Sequence, residues 1–135
     1  MLARTLVVDD SGSFREQICK MLVKLPNLQV IGEASDGLEA VRQAQQLQPD
    51  LILLDIGLPK LDGIAAGRQI RKLSPRSRII FISQESSVEF VQEALDLGAL
   101  AYVLKSKLAT DLKAAIDAVL DGKRFVSKTL IPDAP

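Results

Sequence analysis

The sequence contains no histidine and no tryptophan, and only one cysteine and one tyrosine. Without histidine there is no Ser-His-Asp or Cys-His catalysis, transition metals lose their commonest ligand, and the chain cannot itself donate a phosphoryl group from an imidazole. A lone cysteine excludes an internal disulfide, and Cys19 lies in the apolar stretch ICKMLVKL, where a small hydrophobe inside a helix is its expected role. An excess of one charge is also missing: 17 Lys and Arg balance 17 Asp and Glu, so no overall field draws the chain to nucleic acid or an anionic membrane. No stretch approaches the roughly 18 uninterrupted apolar residues of a membrane span. The start, MLARTLVVDD, runs directly into strand-like sequence without a secretory pattern, and the expected location is the cytoplasm.

What the chain does have is regular alternation. Its 135 residues suit one domain, with 47% apolar residues to build a core. Five short apolar runs, TLVV (5–8), LQVIGEA (28–34), LILL (51–54), RIIFIS (78–83) and LAYVL (100–104), are separated by helix-length segments. Continuous apolar runs bounded by turn signals predict strands covered on both faces, as in parallel sheets. Phe14, Ile18, Met21/Leu22 and Leu25 recur at helical spacing, as do Val88, Val91 and Leu95, and then Leu108, Leu112, Ile116 and Val119/Leu120. Ser13 with Glu16, Asp36 with Glu39, and Ser86 with Glu89 have capping-box spacing, while Gly98 and Gly122 suit helix ends. Segment 61–73 is predicted helical mainly from its position. Strict βα alternation with right-handed crossovers predicts an α/β fold, a doubly wound five-stranded parallel sheet. After residue 122, the tail KRFVSKTLIPDAP shows no periodicity, and 123–135 is expected to be a C-terminal extension or the start of a linker.

In an open parallel sheet, ligands bind outside the carboxyl ends of the strands. Asp9 and Asp10 follow the first strand, Asp55 ends the third, Ser83 ends the fourth and Lys105 follows the fifth, so one edge gathers all five. Clustered carboxylates raise one another's pKa unless a cation compensates, and an oxygen-only ligand set suits Mg²⁺. Lys105 and Ser83 supply a point charge and a hydroxyl for phosphate oxygens, and a carboxylate is an accepted nucleophile for phosphoryl groups. Taken singly, each residue has a plainer role: Asp10 or Ser11 as a cap of the first helix, Asp55 as a turn former before Pro59, Lys105 as a solvated charge, Ser83 as a helix-capping or loop hydroxyl. Their joint placement favours an acceptor of a phosphoryl group.

The stretches LVVDDSGSFR (6–15), LILLDIGLPKLDGI (51–64), IIFIS (79–83) and ALDLGALAYVLKS (94–106) resemble the receiver domain of two-component response regulators. The resemblance covers nearly all of residues 1–122 and implies the flavodoxin-like (βα)5 sheet with strand order 2-1-3-4-5. It implies that Asp55 accepts phosphate from a sensor histidine kinase, and that Asp9, Asp10, Asp55 and the carbonyl of Gly57 hold Mg²⁺. Ser83 and Lys105 would contact the phosphoryl oxygens, Ser83 and Tyr102 would form the conformational switch, and the kinase would dock beside Phe14 and Ile18. AIDAVLDGKRFVS (115–127) is similar to the NarL/FixJ subfamily, whose members usually continue into a LuxR-type helix-turn-helix. No DNA-reading helix is recognisable here, so direct nucleic-acid binding by this chain is not expected, whereas a homodimer is plausible.

Four positions depart from the common pattern. Gly57 carries no side chain over the site, Glu85 adds a carboxylate near it, Gln84 stands where a small residue is frequent, and Ser106 follows Lys105 where proline is frequent. A receiver-like interaction module that no longer cycles is therefore the alternative. A nucleotide-binding hydrolase is disfavoured, because the first strand-helix turn, DDSGS, lacks phosphate-cradling glycines.

Overall fold

Short buried strands alternate with amphipathic helices throughout the computed structural model, which describes residues 2–127. In chain order the elements are β1 (Ala3–Val8), α1 (Gly12–Val23), β2 (Leu28–Ala34), α2 (Gly37–Leu47), β3 (Leu51–Asp55), α3 (Gly63–Leu73), β4 (Arg78–Ser83), α4 (Val88–Asp96), β5 (Ala101–Leu104), a single 3-10 turn at Lys105–Lys107, α5 (Leu108–Leu120) and β6 (Phe125–Val126). The sheet is parallel throughout, in the order β2-β1-β3-β4-β5-β6.

Strand alternation sends successive side chains to opposite faces, and each face has its own core. Leu6, Val8, Ile52, Leu54, Ile79 and Phe81 pack on one side with Ala40, Ile64, Ile70 and Ala94 from α2, α3 and α4. Val7, Leu51, Leu53, Ile80, Ile82 and Val103 pack on the other with Ile18, Leu22, Leu112 and Ile116 from α1 and α5. All five residues of β3 are buried, which explains why its apolar run is unbroken up to Asp55.

The structure corrects the expected strand count from five to six. Phe125 N–H donates to Leu100 O and Ser127 N–H to Tyr102 O, both at 3.0 Å, so β6 continues the sheet beyond β5. Ser127 fastens this edge through its hydroxyl, which accepts from Leu104 N–H at 3.2 Å and donates to Asp111 Oδ2 at 2.8 Å. Backbone pairing over so short a span leaves no periodic signature in the side chains. The rest of the tail, 128–135, lies outside the described residues.

Helix starts depart from the capping-box spacing at two places, and at the first the cap is Ser11, one of the two plainer candidates there. Ser11, not Ser13, caps α1 by accepting from Phe14 N–H at 3.3 Å, and Ser87, not Ser86, caps α4 by accepting from Phe90 N–H at 3.3 Å. Neighbouring serines make the capping spacing ambiguous, and the one with extended backbone at the turn takes the role. Asp36 caps α2 as expected, accepting from Glu39 N–H at 2.8 Å. Gly98 and Gly122 have φ of 107° and 76°, the left-handed conformation a helix end favours.

Candidate functional site

Parallel register decides which side chains share an edge. Val8 pairs with Leu54, Asp55 with Ile82 and Ser83 with Leu104, so β1, β3, β4 and β5 end at the same level. Beyond that level a cleft of about 960 Å³ is lined by Asp10, Asp55, Gly57, Ser83 and Lys105, among others. The structure therefore brings together the residues singled out at the strand ends.

Asp9, Asp10 and Asp55 each present a carboxylate oxygen, and the three oxygens lie within 4.8 Å of one another. Asp9 is buried, with Oδ1 accepting from Ser11 N–H at 2.9 Å. Its Oδ2 lies 2.9 Å from Lys105 Nζ, an ion pair without hydrogen-bond geometry that leaves this buried oxygen with no directed donor. Asp55 is 5% exposed; Gly57 N–H donates to its Oδ1 at 3.2 Å and Lys105 Nζ to its Oδ2 at 3.3 Å. Clustered oxygen donors and an orphaned buried carboxylate oxygen fit a hard divalent cation. A side chain on Gly57 would meet nothing within 4 Å, so the space over Asp55 is open there.

Charge in this crevice is poorly compensated. Burial pushes the Asp55 carboxyl above the ordinary carboxylate range, and the charge of Asp9 adds to this against Lys105 and the Gly57 N–H. Burial alone would lower the Lys105 ammonium, but its close contacts with Asp9 and Asp55 raise it above its ordinary value.

These shifts set the sign of a stability effect. A folded-state carboxyl pKa above its unfolded value favours the folded state below the unfolded pKa, and that contribution is lost as pH rises through the folded value. Above its folded-state pKa the ionised Asp55 therefore costs stability. Asp55→Asn is expected to stabilise the metal-free protein by about 1 kcal/mol, a rise of about 3–5 °C in Tm. Saturation with Mg²⁺ at 100 times its Kd should add about 2.7 kcal/mol to wild type and markedly less to the variant. Thermal melts in chelator and in Mg²⁺ check both; an Asn variant less stable than wild type in chelator would contradict the charge argument.

Ser83 and Tyr102 meet through one loop residue. Glu85 N–H donates to Ser83 Oγ at 2.9 Å, while Tyr102 O–H donates to Glu85 O at 2.7 Å. The Tyr102 side chain is fully buried, and burial raises its phenol pKa. Gln84 and the Glu85 side chain line the cleft as exposed residues. Ser106 follows Lys105 through a trans peptide bond.

Two features were not legible beforehand. The Phe14 ring lies with its centroid 4.3 Å from Lys105 Nζ, a cation–π contact. Ile18, on the same helix, is 1% exposed and belongs to the core, so of the two residues that mark the expected docking side only the half-buried Phe14 reaches the surface.

A parallel sheet of this order, with three carboxylates, a hydroxyl and a lysine at its carboxyl edge, defines the flavodoxin-like receiver class. The sequence pattern of the response regulator receiver domain matches residues 5–117, and the chain belongs to that family: it is a receiver domain of the two-component response regulators. It is 44% identical over 106 residues to a protein-glutamate methylesterase/protein-glutamine glutaminase of Alkalilimnicola ehrlichii, covering 78% of this chain and 27% of that protein. It is 37% identical over 122 residues to the transcriptional regulatory protein LiaR of Bacillus subtilis, covering 90% of this chain and 58% of the relative. The chain thus spans less than two thirds of the length of these curated relatives. A LuxR-family response regulator from an Aurantimonas species superposes with a TM-score of 0.91 at 34% identity, covering 96% of this chain and 93% of that one. The response regulator domain of Thermotoga maritima CheB gives 0.83 at 34% identity, covering 90% and 98%. Relatives thus include both LuxR-type regulators and methylesterases. No described helix is long and apolar enough to cross a membrane.

Proposed function

We propose that Asp55 is the phosphoacceptor, taking a phosphoryl group from a sensor histidine kinase in the cytoplasm, and that Asp9, Asp10, Asp55 and the Gly57 carbonyl hold Mg²⁺. The observation that carries this reading is the nearly buried Asp55 at the end of β3, its Oδ2 3.3 Å from Lys105 Nζ and its carboxylate grouped with Asp9 and Asp10. An Asp55 oxygen forms the new O–P bond as the bond from phosphorus to the donor imidazole breaks, and the released imidazole keeps the electron pair. When bound, a divalent cation would neutralise charge shared by acceptor and transferred group. Lys105 and the Ser83 hydroxyl take the phosphoryl oxygens, so this chain's own residues supply the positioning that phosphoryl transfer needs. Ser83 and Tyr102 then report the acyl phosphate, because one loop residue, Glu85, hydrogen-bonds to both.

The NarL/FixJ-like end of α5 supports a transcriptional output, with 1–122 as the receiver core and 123–135 as an extension or the start of a linker whose first residues add Phe125–Val126 to the receiver sheet. Homodimerisation would belong to that output. Incubation with acetyl phosphate and Mg²⁺, followed by intact mass measurement, tests the reading. One added phosphoryl group that requires Mg²⁺ is expected; no adduct under conditions that label other receivers would favour a non-cycling interaction module.

A further inference from the structure

We infer that Phe14 is a positioning residue for phosphoryl transfer, its ring face holding the Lys105 ammonium at the crevice. The inference rests on Asp55 being the phosphoacceptor. Lys105 opens the 3-10 turn after β5, and its long stem would leave the ammonium many places to go. It is nonetheless drawn in, with 13% of its side chain exposed and Nζ held 2.9 Å from Asp9, 3.3 Å from Asp55 and 4.3 Å from the Phe14 centroid.

The three contacts differ in what happens to them during reaction. Asp9 and Asp55 are the carboxylates that a divalent cation would engage, and a carboxylate shared with a metal is a weaker partner for an ammonium. In the acyl phosphate the Asp55 carboxyl no longer carries charge of its own, and the negative charge stands farther out, on the phosphoryl oxygens. The ring is neutral and keeps its attraction through both events. Phe14 is itself held, since its N–H donates to Ser11 Oγ at 3.3 Å and its side chain packs on the core beneath α1. The first turn of α1 thereby sets where the phosphate-binding charge of β5 stands. Leucine would fill much of the same space without a π face, whereas tyrosine keeps the face.

Labelling by acetyl phosphate at saturating Mg²⁺ should be about 5–30-fold slower for Phe14→Leu and close to wild type for Phe14→Tyr. A packing role alone would lower the Tm of Phe14→Leu in step with its rate; the inference expects the slower labelling at a Tm close to wild type. Equal rates for Phe14→Leu and wild type would overturn the inference, as would failure of Phe14→Tyr to restore the rate. A second measurement needs no phosphorylation: in metal-free protein with ¹³C-labelled lysine, the Lys105 Hε signals should lie upfield in wild type relative to Phe14→Leu, through the ring current. Absence of that displacement also overturns the inference. Wild type that shows the displacement but takes up no phosphate instead removes the phosphoacceptor reading, leaving Phe14 as the residue that positions the ammonium.

Discussion

Gly63→Ala should cost at least about 3 kcal/mol of stability and also slow phosphoryl uptake. Gly63 begins α3, and its N–H donates to Ile56 O at 2.8 Å, folding the loop after β3 back onto the strand end. A Cβ at this position would strike the carbonyl oxygen of Asp55 and come within 2.6 Å of Ile56 Cα. Those atoms are backbone, so no rotamer change relieves the clash. Either the start of α3 or the end of β3 must shift, and a shift of Asp55 takes its carboxylate away from Asp9 and Lys105. Gly57→Ala is the contrast: its Cβ would meet nothing within 4 Å, and the expected change in stability is within about 0.5 kcal/mol. Denaturant unfolding of the two variants side by side decides this; a Gly63→Ala midpoint equal to wild type would show that the loop yields more easily than the contact implies.

Lys105→Ala should move two observables in opposite directions. Two unit charges about 3 Å apart interact by about 1.4 kcal/mol even with the screening of bulk water, so removing the ammonium beside Asp9 should tighten Mg²⁺ binding by about tenfold or more. The same substitution removes the cation proposed to meet the phosphoryl oxygens, and the labelling rate should fall by about 10²–10³. Calorimetric Mg²⁺ titration and the time course with acetyl phosphate read the two effects separately. Weaker metal binding in the variant would mean that Lys105 organises the acidic site rather than competing with the metal for it.

Much of this site was legible because it follows from chain direction alone. In a parallel sheet the residue after each apolar run has to arrive at one edge, so Asp9, Asp55, Ser83 and Lys105 could be grouped from spacing, and β2 and β4 begin and end where their apolar runs do. What was hidden depends on backbone geometry or on contacts between distant segments. LPKLDGI shows a glycine at 63 but not the Asp55 carbonyl pressed against it. Lys60 carries a φ of 68°, a left-handed turn that a lysine does not announce. Pairing of β6 uses main-chain groups, and the Phe14 face over Lys105 joins the start of α1 to the end of β5 across 91 positions, as 105 − 14 gives. Ile18 was placed correctly on the apolar face of α1, and that same placement buries it.

The most direct test of the central claim is chemical mapping of the label. Wild type treated with acetyl phosphate and Mg²⁺ is reduced with borohydride, which converts an aspartyl phosphate to homoserine, and its peptides are then weighed. The account predicts homoserine at position 55, dependent on Mg²⁺, and no comparable labelling of Asp55→Asn. Homoserine at another position in wild type, or an Asn variant labelled at the wild-type rate, would contradict it.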